Sequence, residues 1–510
     1  MSKLTIRSLR FKSFLVYIFF LLKSGIFLLS GCGQTEEATY NHYCGSCHLI
    51  PAVNSLPRDV WMNSVLPNMG ARMGVKIEGD DRISNRRSDL QYAVESRFYP
   101  EEQLIPMGHW EKILAYVSEN APKELLYPVY GDLETIEFFN PIPIILDTTN
   151  AAFTTSVFIK DDQLNIGTIN GAYYEYVIRS NSAAKHKGSN NAISQVFQIV
   201  GETFILDMGN IHPNDQAIGS LSKADESGVF IPILRGLQRP VFMLYEDLDN
   251  DGQQEIVVCE YGNYTGQLSI FKYTDQKWVK EVLLNLPGTL KVMVQDMNFD
   301  GQKDLVVLTA QAREGLWILT QTSPLNFSSE QVITLPAAFG SSGFDMIDLN
   351  QDGLQDVAIV NGDNADLSMV TKPYHGLTLF QNMGKNQFKE ISFTAIPGAT
   401  NVVSSDFDQD GTTDFVVSSF FDDQEMAPGH SLVYLTAEQG NYDHLNIYKL
   451  PLSDKGKWLV LSKGDYDRDG DDDFAVGSFL FSAGRSPVNL LEIFGYDSPD
   501  VMLYENTSVN

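Results

Sequence analysis

One acidic loop of nine residues, written five times, limits what this chain can fold into. Its clearest copy is Asp406-Phe407-Asp408-Gln409-Asp410-Gly411-Thr412-Thr413-Asp414. The other copies begin at Asp247, Asp296, Asp348 and Asp465, and each has Gly at position six. Positions one, three, five and nine carry side-chain oxygens in every copy. They are Asp247, Asp249, Asp251 and Glu255; Asp296, Asn298, Asp300 and Asp304; Asp348, Asn350, Asp352 and Asp356; Asp406, Asp408, Asp410 and Asp414; and Asp465, Asp467, Asp469 and Asp473. Alternate residues of a tight loop turn their oxygens toward one point, and the glycine permits the bend. Carboxylates held this close repel one another unless a cation compensates them. The pattern therefore predicts five calcium sites. Affinity should be lower in the two loops with Asn at position three, because fewer charges ligate.

The loop starts are 49, 52, 58 and 59 residues apart. Each loop leads into an apolar strand-like run, such as Asp356-Val357-Ala358-Ile359-Val360, and then a second, such as Gly376-Leu377-Thr378-Leu379-Phe380. A period near 50 made of short strands predicts four-stranded propeller blades. A helical solenoid would show a 3.6-residue pattern, and a β-helix would have a far shorter period. Over residues 247–510 the units resemble the FG-GAP/VCBS repeats of integrin-α-type propellers. That resemblance implies seven blades and a structural role for the cations. Residues 127–246 would then hold two degenerate blades around Asp161-Asp162-Gln163-Leu164-Asn165-Ile166-Gly167 and Phe204-Ile205-Leu206-Asp207-Met208-Gly209-Asn210, neither with a complete loop.

The first part of the chain carries a different signature, Cys44-Gly45-Ser46-Cys47-His48. This is the attachment pattern for a c-type haem: two thiols three apart meet the two vinyl groups, and the adjacent imidazole faces the iron. A zinc site would need two more ligands, with Cys259 the only other unassigned cysteine, which is expected to be a buried free thiol. A redox dithiol would need a βαβ setting, and the flanking sequence is helical. Val60, Trp61, Ser64 and Val65 share one helical face, as do Trp110, Ile113, Leu114 and Val117. Residues 39–126 resemble a small all-α cytochrome c, and the second helix resembles the C-terminal helix of class I cytochromes. The resemblance implies His48 as one axial ligand. Met69, in the loop-like Leu66-Pro67-Asn68-Met69-Gly70, is the expected sixth ligand, as in similar exported haem proteins that carry a propeller. Met107 is the alternative, because class I cytochromes present a methionine just before the last helix. Met62, Met73, His42 and His109 are weaker choices.

Residues 1–31 read as an export signal, with Lys3, Arg7, Arg10 and Lys12 ahead of a short apolar stretch. Leu29-Ser30-Gly31-Cys32 resembles a bacterial lipobox, which implies acylation of Cys32 and a short tether over residues 32–38. A single transmembrane anchor is the rival, but the stretch is short for a span. The expected place is thus the bacterial envelope, anchored through lipid alone.

The net charge of -29 excludes nucleic acid as a partner. Eighteen of the 65 acidic residues fill the loop positions above, so cations would offset much of the excess. Asp422, Asp423, Asp471 and Asp472 are expected on a solvated rim. No nucleophile elbow, phosphate loop or dinucleotide fingerprint is present. The expected fold is therefore multidomain, a small all-α domain followed by an all-β propeller over residues 127–510. The expected function is electron transfer by a lipid-anchored haem protein whose propeller docks an unknown redox partner. The alternative is a surface propeller that binds a protein or glycan, with the haem secondary. A haem-coupled oxidoreductase is less favoured, because the repeats lack the tryptophans of the quinoprotein class.

Overall fold

A computed structural model describes residues 35–76, 98–147, 152–199, 201–365, 367–480, 494–495 and 498–508. The expected export signal and Cys32 lie outside these residues.

Seven four-stranded antiparallel sheets make up the β-rich part. Blade one consists of Thr154–Lys160, Gln163–Thr168, Ala172–Val177 and Ser182–Lys187, paired in that order. The inner strands of blades two to seven are Ala192–Ile199, Pro240–Glu246, Thr289–Gln295, Ser341–Ile347, Ala399–Ser405 and Trp458–Gly464. Each inner strand packs against those of its neighbours, and blade seven packs back on blade one, so the seven sheets close a ring. The chain is a seven-bladed β-propeller.

The second strand of each loop-bearing blade is buried along its whole length, as in Asp356–Asn361 and Asp414–Ser419. Its residues are apolar on both faces because both faces meet another blade. Val357 and Ile359 pack toward Val306 and Leu308 of blade four, whereas Ala358 and Val360 pack toward Phe415 and Val417 of blade six.

Ring closure was not visible in the repeats. Blade seven takes its outer strand from Phe139–Ile144, which pairs antiparallel with Val501–Asn506. Residues 127–246 therefore hold more than two degenerate blades. They contain blades one and two, this closing strand and the first strand of blade three. Neither stretch forms a loop of the acidic kind: Asp161-Asp162 is a tight turn between the first two strands of blade one, and Phe204 to Gly209 lies within the strand Glu202–Gly209.

Ahead of the propeller lie a few short helices. Helix α1 spans Glu36–Cys44, so it starts inside the stretch expected to be tether. Thr35 caps it, its hydroxyl accepting from the Ala38 N–H at 3.1 Å. Helix α2 runs through Arg58–Val60, a π-turn at Trp61–Val65, and Leu66–Arg72. Helix α3 spans Met107–Asn120 and buries Trp110, Ile113 and Val117. The expectation of a loop at Met69 is corrected: Leu66-Pro67-Asn68-Met69-Gly70 is helical. Proline removes one helical N–H and crowds the carbonyl four residues back. The wider π-turn just before it absorbs that defect.

These helices rest on one end of the propeller. Ser64 Oγ donates to the Leu367 carbonyl at 2.6 Å, and Tyr374 OH donates to the Ser55 carbonyl at 3.1 Å. Phe98 packs on Tyr264 with ring centroids 4.7 Å apart. All these propeller residues lie in connections from second to third strands. The five acidic loops all connect first to second strands. In an antiparallel blade those two kinds of connection emerge at opposite ends. The acidic loops and the helices thus occupy opposite faces.

Candidate functional site

The acidic loops share one geometry. Position one always takes the N–H of the position-six glycine, as from Gly252 to Asp247 at 2.9 Å and from Gly353 to Asp348 at 2.8 Å; Asp247 and Asp348 also take the position-five N–H, each at 3.1 Å. Position three takes the N–H of position five, as from Asp410 to Asp408 at 3.2 Å. Two residues per loop have positive φ. Gly411 has φ 89°, as position six requires, and Gln409 at position four has φ 54°. The second feature had no signal in the sequence, because Asn250, Phe299, Gln351, Gln409 and Arg468 share no chemistry.

Position nine is the first residue of the second strand, and it is buried in all five blades. One of its oxygens accepts the position-two N–H, at 3.0 Å from Leu248 to Glu255 and 3.1 Å from Phe407 to Asp414. In Asp304, Asp356 and Asp473 the other oxygen accepts an N–H from the third strand of the sheet, at 2.8, 2.7 and 2.8 Å. The residue therefore pins the loop to its blade as well as facing the loop's centre.

Carboxylate oxygens converge in three loops. Those of Asp247, Asp249 and Asp251 lie within 4.8 Å of one another, as do those of Asp406, Asp408 and Asp414, and of Asp465, Asp467 and Asp473. Asp406 Oδ1 is buried with no hydrogen-bond partner. An all-oxygen donor set of this kind, with a buried acceptor unsatisfied, fits a hard divalent cation. The loops with Asn298 and Asn350 turn that amide on the position-five carboxylate, at 3.0 Å to Asp300 and 2.9 Å to Asp352. Asparagine there quenches charge that aspartate would present to a cation.

Burial pushes the carboxyls of Glu255, Asp414 and Asp473 up to about 7, and the neighbouring loop carboxylates add to the shift. Their unfolded values lie near ~4. Between these values the folded, cation-free protein holds protons that the unfolded chain releases. Its stability therefore falls as pH rises through that window. In chelator, the melting temperature should drop from about pH 5 to about pH 8; in excess calcium it should not. Differential scanning calorimetry at both ends of the range checks this, and a flat profile in chelator would contradict it.

The rim expectation fails for two residues. Asp471 is 6% exposed, because the loop turns it inward between blades six and seven. Asp422 forms a half-buried ion pair with Lys457 at 3.0 Å. Cys259 is, as expected, a buried free thiol, lying on the second strand of blade three.

On the opposite face, Cys44 closes α1, and Cys47 follows in the turn after it. Both thiols are free, with Cys44 half-buried and Cys47 exposed. Burial pushes the Cys44 thiol up to about 12. A neutral thiol at the C-terminal end of a helix is poorly suited to dithiol exchange, which needs a thiolate. His48 Nδ1 lies 2.8 Å from the Leu49 carbonyl. That oxygen can only accept, so Nδ1 donates to it and Nε2 is the ring nitrogen left to face another partner. Tyr43 OH and His109 Nδ1 are 3.0 Å apart, which joins the end of α1 to the start of α3. Leu49, Ile50, Leu104 and Met107 are large, apolar and exposed. Met69 is half-buried within α2.

Residues 296–359 match the family described as "FG-GAP-like repeat". The match runs from the Asp296 loop through the Asp348 loop into the following strand. No curated protein matches the chain. Among solved structures, the Neurospora crassa Pan2 WD40 domain is 13% identical over 73% of this chain and 96% of its own, with a TM-score of 0.44. The RRP9 WD40 repeats are 8% identical over 71% and 96%, with a TM-score of 0.45. The Myceliophteria thermophila Cps50 (Swd1) β-propeller domain is 12% identical over 72% and 99%, with a TM-score of 0.42.

Proposed function

We propose that this chain is a c-type haem protein of the bacterial envelope that passes single electrons to a partner protein. The propeller is its scaffold, held by calcium in the five acidic loops. The observation that carries this reading is the set Cys44, Cys47 and His48 at the end of α1. Its thiols are free, its first thiol is neutral, and its imidazole presents Nε2. The exposed apolar side chains of Leu49, Ile50, Leu104 and Met107 also support it, since a porphyrin would cover surface of that kind.

Cys44 and Cys47 would hold the group through thioethers, with His48 as one axial ligand. Bound there, a haem supplies a one-electron couple whose potential depends on the second axial ligand. Met69 is the favoured residue for that role and Met107 the alternative. The helical residues 39–126 are, in this proposal, a cytochrome c-like domain. Acylation of Cys32 after removal of residues 1–31 completes the proposal and makes the anchor a lipid. No helix among the described residues is long and apolar enough to cross a membrane.

A reductive titration followed by visible spectra tests the reading. The matured protein should show a c-type α-band and one reversible transition. Met69→Ala should lower the midpoint by on the order of 100 mV, because thioether ligation raises the potential. Met107→Ala should leave it in place. A shift in Met107→Ala alone would reassign the ligand. Absence of any reversible transition in the wild type would reject the haem.

A further inference from the structure

The Asp465 loop differs from its four counterparts at position seven. In the other loops this residue is Gln253, Gln302, Leu354 or Thr412. Three of these donate to the position-five carboxylate. Gln253 Nε2 reaches Asp251 at 3.3 Å, Gln302 Nε2 reaches Asp300 at 3.2 Å, and Thr412 Oγ1 bonds Asp410. The fifth loop puts Asp471 in that place, facing the position-five carboxylate of Asp469. A carboxylate cannot donate to a carboxylate.

Asp471 is also 6% exposed, and its Oδ1 has no hydrogen-bond partner. It lines a cleft of about 520 Å³ between blades six and seven. Asp406, the first ligand of blade six's own loop, lines the same cleft. The neighbouring acid, Asp472, is already held: its Oδ2 accepts from Ser405 Oγ at 2.6 Å and lies 3.5 Å from Lys463 Nζ. Nothing comparable reaches Asp471 Oδ1. A buried, unpaired carboxylate beside other carboxylates is costly, and a cation removes that cost.

We propose that this cleft binds one further divalent cation, anchored by Asp471 and shared with Asp406, which ties blade six to blade seven. The ligand class is a hard, partly hydrated ion such as calcium, since every charged group offered is a carboxylate. The cleft is open enough for water to complete the coordination shell. The proposal rests on the reading of the fifth loop as a cation site but adds a separate ion to it.

Metal counting after equilibrium dialysis of the full chain against calcium tests it. Asp471→Gln copies the residue of the first two loops, and Asp471→Asn serves as a second, isosteric variant. Each should bind one ion fewer than wild type. Asp467→Ala, which removes the position-three oxygen from the loop's own site, should also lose one, and the Asp467→Ala/Asp471→Gln double variant should lose two. If both Asp471 variants bind as many ions as wild type, the extra ion does not exist; a shared proton or a basic side chain of a partner then fills the cleft. If the double variant loses only one, Asp471 belongs to the loop's own ion, and the proposal falls. A wild type that binds no calcium overturns the five-loop reading itself.

Discussion

Exchanging both Cys44 and Cys47 for Ser should leave the full chain with no covalently attached haem while the propeller still folds. Among the described residues the two thiols are the only cysteines outside the propeller, and Cys32 is taken up by its acyl chains in the proposed reading, so no thiol is left to take over the attachment. The structural cost should be local. Cys44 packs at the margin of the helical core around Tyr40, Trp61, Trp110 and Ile113. Cys47 is exposed. Thiol to hydroxyl at a half-buried site costs on the order of 1 kcal/mol, chiefly as buried polarity. The apolar cores of the propeller lie between its blades and share no buried residue with this helical cluster, so the propeller's melting transition should move little. The measurement is a haem-specific stain of the denatured protein with a visible spectrum, beside calorimetry of the same sample. A stain that survives in the double variant would show that the group is held another way. A wild type that never stains would remove the electron-transfer reading.

Much of this molecule was legible in its sequence, for a physical reason. An acidic loop feeding a buried strand is a local device: its carboxylate spacing and the apolar run after it lie within about fifteen residues. Five such devices at a period near 50 leave few architectures open, and the seven-bladed ring is what formed. The missing parts are non-local. Phe139–Ile144 contains Pro141 and Pro143 and reads as linker. As the outer strand of blade seven it has a partner on one side only, where proline is tolerated. Its partner strand begins at Val501, far along the chain.

The sites divide in the same way. Cys44-Gly45-Ser46-Cys47-His48 and the loop positions are contiguous motifs. Met69 is not, because its helical state depends on a π-turn that no residue pattern announces. Asp471 looked like surplus surface charge. Only the juxtaposition of blades six and seven makes it a buried acid in a cleft that Asp406 also lines. The placement of helices and acidic loops on opposite ends also emerged only from the strand order. It separates the two chemistries: a partner docking on the helical face need not disturb the loops.

Removing calcium should destabilise the propeller more than any single core substitution. Each loop gathers three or four oxygen ligands and has few basic groups to balance them. Where lysine is near, it serves other acids, as Lys303 does for Glu246 at 2.6 Å. At free calcium about 100-fold above its dissociation constant, one site adds ~2.7 kcal/mol, so five add on the order of 13 kcal/mol. That is comparable to the whole stability of a typical domain, ~5–15 kcal/mol. Chelation should therefore lower the melting temperature by on the order of 15 °C. The loss should come in stages. The Asp296 and Asp348 loops, with Asn298 and Asn350, should release their ions first as free calcium falls, and the Asp247, Asp406 and Asp465 loops last. Asn298→Asp should move one early release to the late group. Calorimetry across a calcium–chelator series, with ion counts at each step, reads both effects. An unchanged transition in chelator would mean that the loops are stable acidic turns without a cation. A single-step release would mean that the asparagines do not set affinity.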